Sequence, residues 1–180
     1  MFYLGIDDSG RGPVIGPMVL AGVLADEKQI GKLKELGVKD SKLLSKKRRE
    51  FLAKKIKEMA KYCIVKVSPT EIDEKLAKRI NLNDLEAMKI AKIIEKLGGT
   101  KRVEVIIDCP SVNTKKWRSY LLGLLKKEVK LKCEHKADLR YIIVGAASIL
   151  AKVTRDSEIE KIKKQYKIEC GSGYPADPLC

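Results

Sequence analysis

Histidine is nearly missing from this chain of 180 residues: His135 is the only one. A histidine-based catalytic triad and a multi-histidine metal site are both excluded unless a partner supplies the missing groups. Cysteine offers no substitute. Cys63, Cys109, Cys133, Cys170 and Cys180 form no C-x-x-C pair, and their odd number argues against a disulfide framework, so they read as free thiols filling apolar space. Nor does any apolar run reach the roughly 18 residues that cross a bilayer; the stretch from Val14 to Ala25 is broken by Gly16, Pro17 and Gly22. The start, Met1-Phe2-Tyr3-Leu4-Gly5-Ile6-Asp7, lacks the basic segment of a secretory signal, which makes the cytoplasm the expected location. Acid is the minority charge. Lys plus Arg is 38 against 24 for Asp plus Glu, a net charge of +14 that favours a polyanionic partner. With imidazole and thiolate set aside, any catalysis has to rest on carboxylates.

What is present reads as one domain, 1–180, large enough to bury a full core, with 44% hydrophobic residues. Leu4-Gly5-Ile6 is a short buried strand, and the glycines and proline of Asp7-Asp8-Ser9-Gly10-Arg11-Gly12-Pro13 turn the chain into a second strand, Met18 to Leu24, making an antiparallel pair. Ser45 caps a helix bearing Leu52, Ile56 and Met59; Tyr62 to Val67 alternates as a strand; Ser68-Pro69 opens a short helix. Asn83 is placed to cap a longer helix with Ile90, Ile93, Ile94 and Leu97 on one face, ended by Gly98-Gly99. A strand from Val103 to Ile107, a helix from about Lys115 to Leu125, a strand from Lys130 to Cys133 and a helix from about Ile143 to Tyr166 follow. The order β-β-α-β-α-β-α-β-α implies a mixed sheet flanked by helices, an α/β fold. Residues 171–180 read as a closing loop, which suggests that a C-terminal segment is missing.

Ligands in open α/β sheets gather at the carboxyl ends of strands. Asp7, Asp108 and, in the loop after Lys130 to Cys133, Asp138 are expected at such ends, the first two directly after apolar runs where a bare carboxylate is most costly. If they meet within about 6 Å, each pair repels by roughly 3 kcal/mol at an effective dielectric of 20. Such a group calls for a cation. Oxygen-only ligands suit Mg²⁺ or Mn²⁺, and paired hard cations suit in-line phosphoryl displacement by water. Taken singly, each acid could equally be a helix cap or a loop residue, and spacing alone does not bring them together.

The segment Gly5-Ile6-Asp7-Asp8-Ser9-Gly10-Arg11-Gly12-Pro13-Val14-Ile15-Gly16-Pro17 resembles the opening signature of ribonuclease HII, particularly its archaeal members. Further matches follow in order: Gly37-Val38-Lys39-Asp40-Ser41-Lys42, Ile80-Asn81-Leu82-Asn83, Ile107-Asp108, Glu134-His135-Lys136-Ala137-Asp138, Ala146 to Val153, and Gly171-Ser172-Gly173-Tyr174-Pro175. The resemblance covers nearly the whole chain. It implies a ribonuclease H-like fold with a mixed five-stranded sheet and cleavage of RNA in RNA/DNA hybrids, including ribonucleotides embedded in duplex DNA, leaving 3′-hydroxyl and 5′-phosphate ends with two Mg²⁺ or Mn²⁺ ions.

Carried over by motif, the family's catalytic, metal-binding acids fall on Asp7, Asp8, Asp108 and Asp138. The family usually has Glu where Asp8 stands, so this carboxylate reaches roughly 1.5 Å less far. The resemblance assigns reading of the ribonucleotide 2′-hydroxyl to the turn Gly10-Arg11-Gly12, phosphate contacts to Lys42, Ser148 and Lys152, and packing against the deoxyribose after a ribonucleotide to Tyr174. The run Lys46-Lys47-Arg48-Arg49 reads as a solvated helix face, and His135 as structural. The expected partners are RNA/DNA hybrid and ribonucleotide-containing DNA, with no membrane. A sliding clamp is expected only where a C-terminal tail exists, and the chain is expected to be a monomer. The alternative carried forward is a catalytically weakened hybrid-binding protein of the same fold; a nuclease acting on DNA alone is disfavoured by the ribonucleotide-reading turn.

Overall fold

The computed structural model describes residues 1–13, 15–38, 44–98, 102–174 and 177. Its first strand, β1 (Phe2–Ser9), runs antiparallel to β2 (Met18–Asp26), with Ile6 opposite Gly22 and Ser9 opposite Val19. The strand is longer than Leu4 to Ile6 suggests. Antiparallel pairing continues through Asp7 opposite Ala21 and Asp8 opposite Leu20, so both acids lie inside β1 rather than after it.

Asp26 then starts α1 (Glu27–Glu35), which the sequence reading missed. Its side chain accepts from the Gln29 amide at 2.8 Å while the Gln29 side chain accepts from the Asp26 amide at 2.9 Å, a reciprocal cap that a nine-residue helix burying only Leu33 relies on. Ser45 caps α2 (Lys46–Met59), β3 (Lys61–Val67) follows, and Ser68 caps α3 (Pro69–Ala77), each as expected. α4 (Leu82–Leu97) is capped by Asn81 and not by Asn83: the Asn81 side chain accepts from the Asp84 amide at 3.0 Å, which frees Asn83 for other partners. Gly98, in the left-handed region at φ 78°, closes that helix. The remaining elements are β4 (Val103–Asp108), α5 (Thr114–Leu124), β5 (Lys130–Glu134), the short α6 (Ala137–Arg140) and the 25-residue α7 (Ile142–Tyr166). Because α6 is a single turn with no apolar period, nothing in its sequence marked it, and Asp138 sits in its first turn rather than in a loop.

The five strands form one mixed sheet in the order β3-β2-β1-β4-β5, with β1, β4 and β5 parallel. Alternation along the strands divides the core in two. Leu4 and Ile6 of β1, Leu20 of β2 and Val105 and Ile107 of β4 face α4 and α5. Val19, Ala21 and Val23 of β2 and Ile106 of β4 face α7, α2 and α1. Gly5 lets α7 come down on β1: a Cβ there would lie 2.3 Å from the Ile143 carbonyl oxygen. Among the described residues no helix is long and apolar enough to cross a membrane, and Cys63, Cys109 and Cys133 are free thiols.

Candidate active site

The parallel ladder between β1 and β4 ends at Ile6 beside Ile107. The next residue on each strand is an aspartate, so Asp7 and Asp108 leave neighbouring strands at the same level. By alternation both point to the α7 side. Asp7 is 5% exposed, accepts the Asp8 amide at 2.8 Å and accepts a hydrogen bond from Ser148 of α7. Burial, then the charges of Asp8 and Asp108, push its carboxyl well above the usual range, against the opposing pull of Ser148 and Lys152. Asp108 accepts the Ala137 amide at 2.9 Å, which docks the first turn of α6 on the end of β4 and sets Asp138, itself 5% exposed, beside it.

Asp8 alternates to the opposite side of β1, toward α4. Burial raises its carboxyl to about 6, helped by Asp108 and opposed by Arg11 and Lys152. Across from it lies a residue the sequence reading passed over. Glu86 of α4 is 1% exposed, and neither carboxylate oxygen has a hydrogen bond among the described residues; burial first, then Asp8, raise it to about 8, with Arg11 pulling the other way. A signal was available: Glu86 falls four residues after Leu82 and four before Ile90, an acid set on the buried stripe of an amphipathic helix.

Arg11 is held from three directions. Its Nε lies 3.5 Å from Glu86, one Nη donates to the Pro110 carbonyl at 2.7 Å, and the other donates to the Asn83 side chain. The Asn83 carbonyl in turn accepts from the Trp117 indole at 3.0 Å. The side chain therefore clamps the Gly10-Arg11-Gly12 turn to the loop after β4 and to the start of α4. Gly10 and Gly12 have φ of 89° and 96°, a region that glycine alone adopts without strain. A Cβ on Gly12 would meet nothing within 4 Å, leaving that part of the turn open to a ligand.

Ser148 is fully buried, and Lys152 donates to its hydroxyl at 2.8 Å, so the two form a chain ending at Asp7. The Tyr174 hydroxyl lies 2.9 Å from the Ser9 hydroxyl and 3.4 Å from Asp156. His135 donates from Nδ1 to the Cys109 carbonyl at 3.2 Å, a bracing contact. The basic run on α2 is less free than expected: Arg48 and Arg49 donate to the Leu36 and Leu44 carbonyls, and Arg49 pairs with Asp156 at 3.4 Å. Lys42 lies outside the described residues.

The donor chemistry suits a hard divalent cation. It offers carboxylate oxygens without imidazole or thiolate, and like charge contributes to raising both Asp7, through Asp8 and Asp108, and Asp8, through Asp108, which a cation would reverse. Among the described residues no three acidic, histidine or cysteine side chains yet stand close enough to enclose an ion, so binding one has to draw them inward.

A family model described as Ribonuclease HII matches residues 4–180. The Ribonuclease HII of Methanothermobacter thermautotrophicus is 46% identical over 180 residues, covering 99% of this chain and 85% of that protein. The crystal structure of the ribonuclease H2 from Pyrococcus horikoshii superposes with a TM-score of 0.88 at 44% identity, covering 99% of this chain and 83% of that one. A structure of the PCNA:RNase HII complex from Archaeoglobus fulgidus gives 0.87 at 40% identity, covering 98% and 82%.

Proposed function

This chain belongs to the ribonuclease HII family, and from that premise we propose that it is an endonuclease that hydrolyses the RNA strand of RNA/DNA hybrids and cuts at ribonucleotides embedded in duplex DNA. The observation that carries the reading is the pair of aspartates, Asp7 and Asp108, side by side on adjacent parallel strands just past the end of their shared ladder, with the Asp108 charge raising Asp7, beside an open glycine turn. Asp7 and Asp108 would be the principal ligands of two divalent ions, Asp138 an outer ligand and Asp8 a weaker one. Bound Mg²⁺ or Mn²⁺ supplies an activated water and neutralises charge at the leaving 3′-oxygen.

The protein's own groups do the rest. The Lys152–Ser148 chain orients Asp7 and brings positive charge to the site, which favours the ionised carboxylate. The backbone of Gly10 and Gly12 can approach a ribose closely and hydrogen-bond its 2′-hydroxyl, the group that separates RNA from DNA. Tyr174 offers an aromatic face to a sugar lacking that hydroxyl, where a hydroxyl would lose its water. Lys42 and the net charge of +14 add phosphate affinity. The reading extends to a single catalytic domain over 1–180 acting as a cytoplasmic monomer. A sliding-clamp partner belongs to the reading only where a C-terminal tail exists; the Archaeoglobus relative was solved with PCNA.

A second reading, a hybrid-binding protein weak in catalysis, draws on the short reach of Asp8 and its carboxyl raised to about 6. One assay separates the two: duplexes with a single ribonucleotide, with continuous RNA in one strand, or with DNA only, incubated with Mg²⁺ or Mn²⁺, alongside Asp108→Asn. Cleavage of the first two and not the third, lost by about 100-fold or more in Asp108→Asn with binding retained, is the outcome expected of the nuclease. Tight binding without cleavage supports the second reading. Cutting of the all-DNA duplex contradicts both.

A further inference from the structure

Arg155 lies on α7, on the same face as Ser148, Lys152 and Ile159, and it is 0% exposed. A buried guanidinium would ordinarily have its donors filled, since each unmet donor in low dielectric is costly. Here one Nη donates to the Ile15 carbonyl at 3.0 Å and to the Gly173 carbonyl at 2.7 Å. Nε and the other Nη have no hydrogen-bond partner among the described residues. What they meet instead are two surfaces. The guanidinium carbon stacks 4.1 Å from the centroid of the Tyr174 ring. A Cβ on Gly10 would come within 2.3 Å of Nε, so the guanidinium also rests directly on the glycine turn. One turn further along α7, Ile159 occupies the space that a Cβ on Gly16 or on Gly173 would need, at 2.5 and 2.8 Å.

Two stretches far apart in sequence, Gly10 with Ile15 to Gly16 and Gly171 to Tyr174, are thus fastened to one another through Arg155 and Ile159. A purely structural plug would be filled at lower cost by an apolar side chain; a planar cation that faces both a ring and a backbone fixes a distance and an angle. We propose that Arg155 is the positioning residue that sets the spacing between the ribose-reading turn and the Tyr174 ring, and thereby sets the preference for a ribonucleotide followed by a deoxyribonucleotide. The Tyr174 hydroxyl bonded to Ser9, next to Asp8, supports the same linkage: the ring is anchored at its hydroxyl end on β1 and on its face by Arg155. This rests on the function proposed above, since the turn and Tyr174 acquire their roles there.

The test is a double-mutant cycle read as a substrate ratio. Rates on the single-ribonucleotide duplex and on a continuous RNA/DNA hybrid are measured for the unaltered protein, Arg155→Met, Tyr174→Ala and the double variant, with Arg155→Lys in place of Arg155→Met should the latter fail to fold. Arg155→Met is expected to lower the ratio of single-ribonucleotide to hybrid cleavage by about 5- to 30-fold, the worth of a desolvated cation–π contact. In the Tyr174→Ala background the same substitution should leave the ratio within about twofold, because the residue acts through the ring. Equal loss on both substrates, or an undiminished effect without the ring, overturns the proposal and leaves the function standing. An unaltered protein that cuts neither substrate overturns the function itself.

Discussion

A carboxyl with 1% exposure and, among the described residues, no hydrogen bond to either oxygen is least costly when it keeps its proton, and Glu86 has moved accordingly, from 4.5 to about 8. The folded protein therefore binds this proton more tightly than the unfolded chain does. As pH rises from about 4.5 through about 8 the fold loses stability, and above that the whole penalty is present. Glu86→Gln preserves shape without the charge. In the metal-free protein it is expected to leave the melting temperature nearly unchanged at pH 4.5 and to raise it by several degrees at pH 9, since the penalty is on the order of a few kcal/mol. Thermal unfolding in chelator at both pH values checks this; an equal shift at both would assign the gain to packing. At this scale the sequence was legible for Asp7 and Asp108, each set directly after an apolar strand core, although β1 runs on through Asp7 to Ser9. It was not for Glu86 or Arg155, because an ordinary helical acid and one arginine among 38 basic residues carry no mark until folding buries them.

The elements that position the site meet at Gly5, where β1 and α7 approach closely enough that an added methyl would strike the Ile143 carbonyl at 2.3 Å and the Val144 nitrogen at 2.6 Å. Both obstacles are backbone, so neither can turn aside. Gly5→Ala is expected to cost about 1 to 3 kcal/mol in stability. It should also weaken cleavage beyond what that loss explains, because Ser148 and Lys152 ride on the helix that is pushed away from Asp7. Melting temperature and activity measured well below the transition separate the two effects; full activity in a destabilised variant would show that α7 does not orient Asp7. Strands and long helices were readable from period and caps, as at Ser45, Ser68 and β3. The exceptions have local causes: α1 depends on one reciprocal cap, α6 is too short to show a period, and β1 overruns its apolar core because pairing with β2 carries two charged residues along.

For the molecule as a whole, a net charge of +14 coexists with a pocket of crowded acids, so the surface must attract the polyanion that the pocket repels. If about five phosphates are neutralised on binding, the affinity for duplex should fall with a slope near −4.5 in log K against log salt, about 500-fold between 50 and 200 mM. A nearly flat dependence measured by anisotropy in chelator would detach the charge from nucleic acid. Sheet order and the meeting of Asp7 with Asp108 required the parallel register, which no periodicity encodes. The central claim is that carboxylates and divalent ions direct water, rather than a neighbouring 2′-hydroxyl, at the phosphodiester. Mass analysis of the products from a single-ribonucleotide duplex tests it most directly. Ends that are 3′-hydroxyl and 5′-phosphate, formed with Mg²⁺ or Mn²⁺ and not in chelator, are the result expected; a 2′,3′-cyclic phosphate, or cleavage unaffected by chelator, would contradict it.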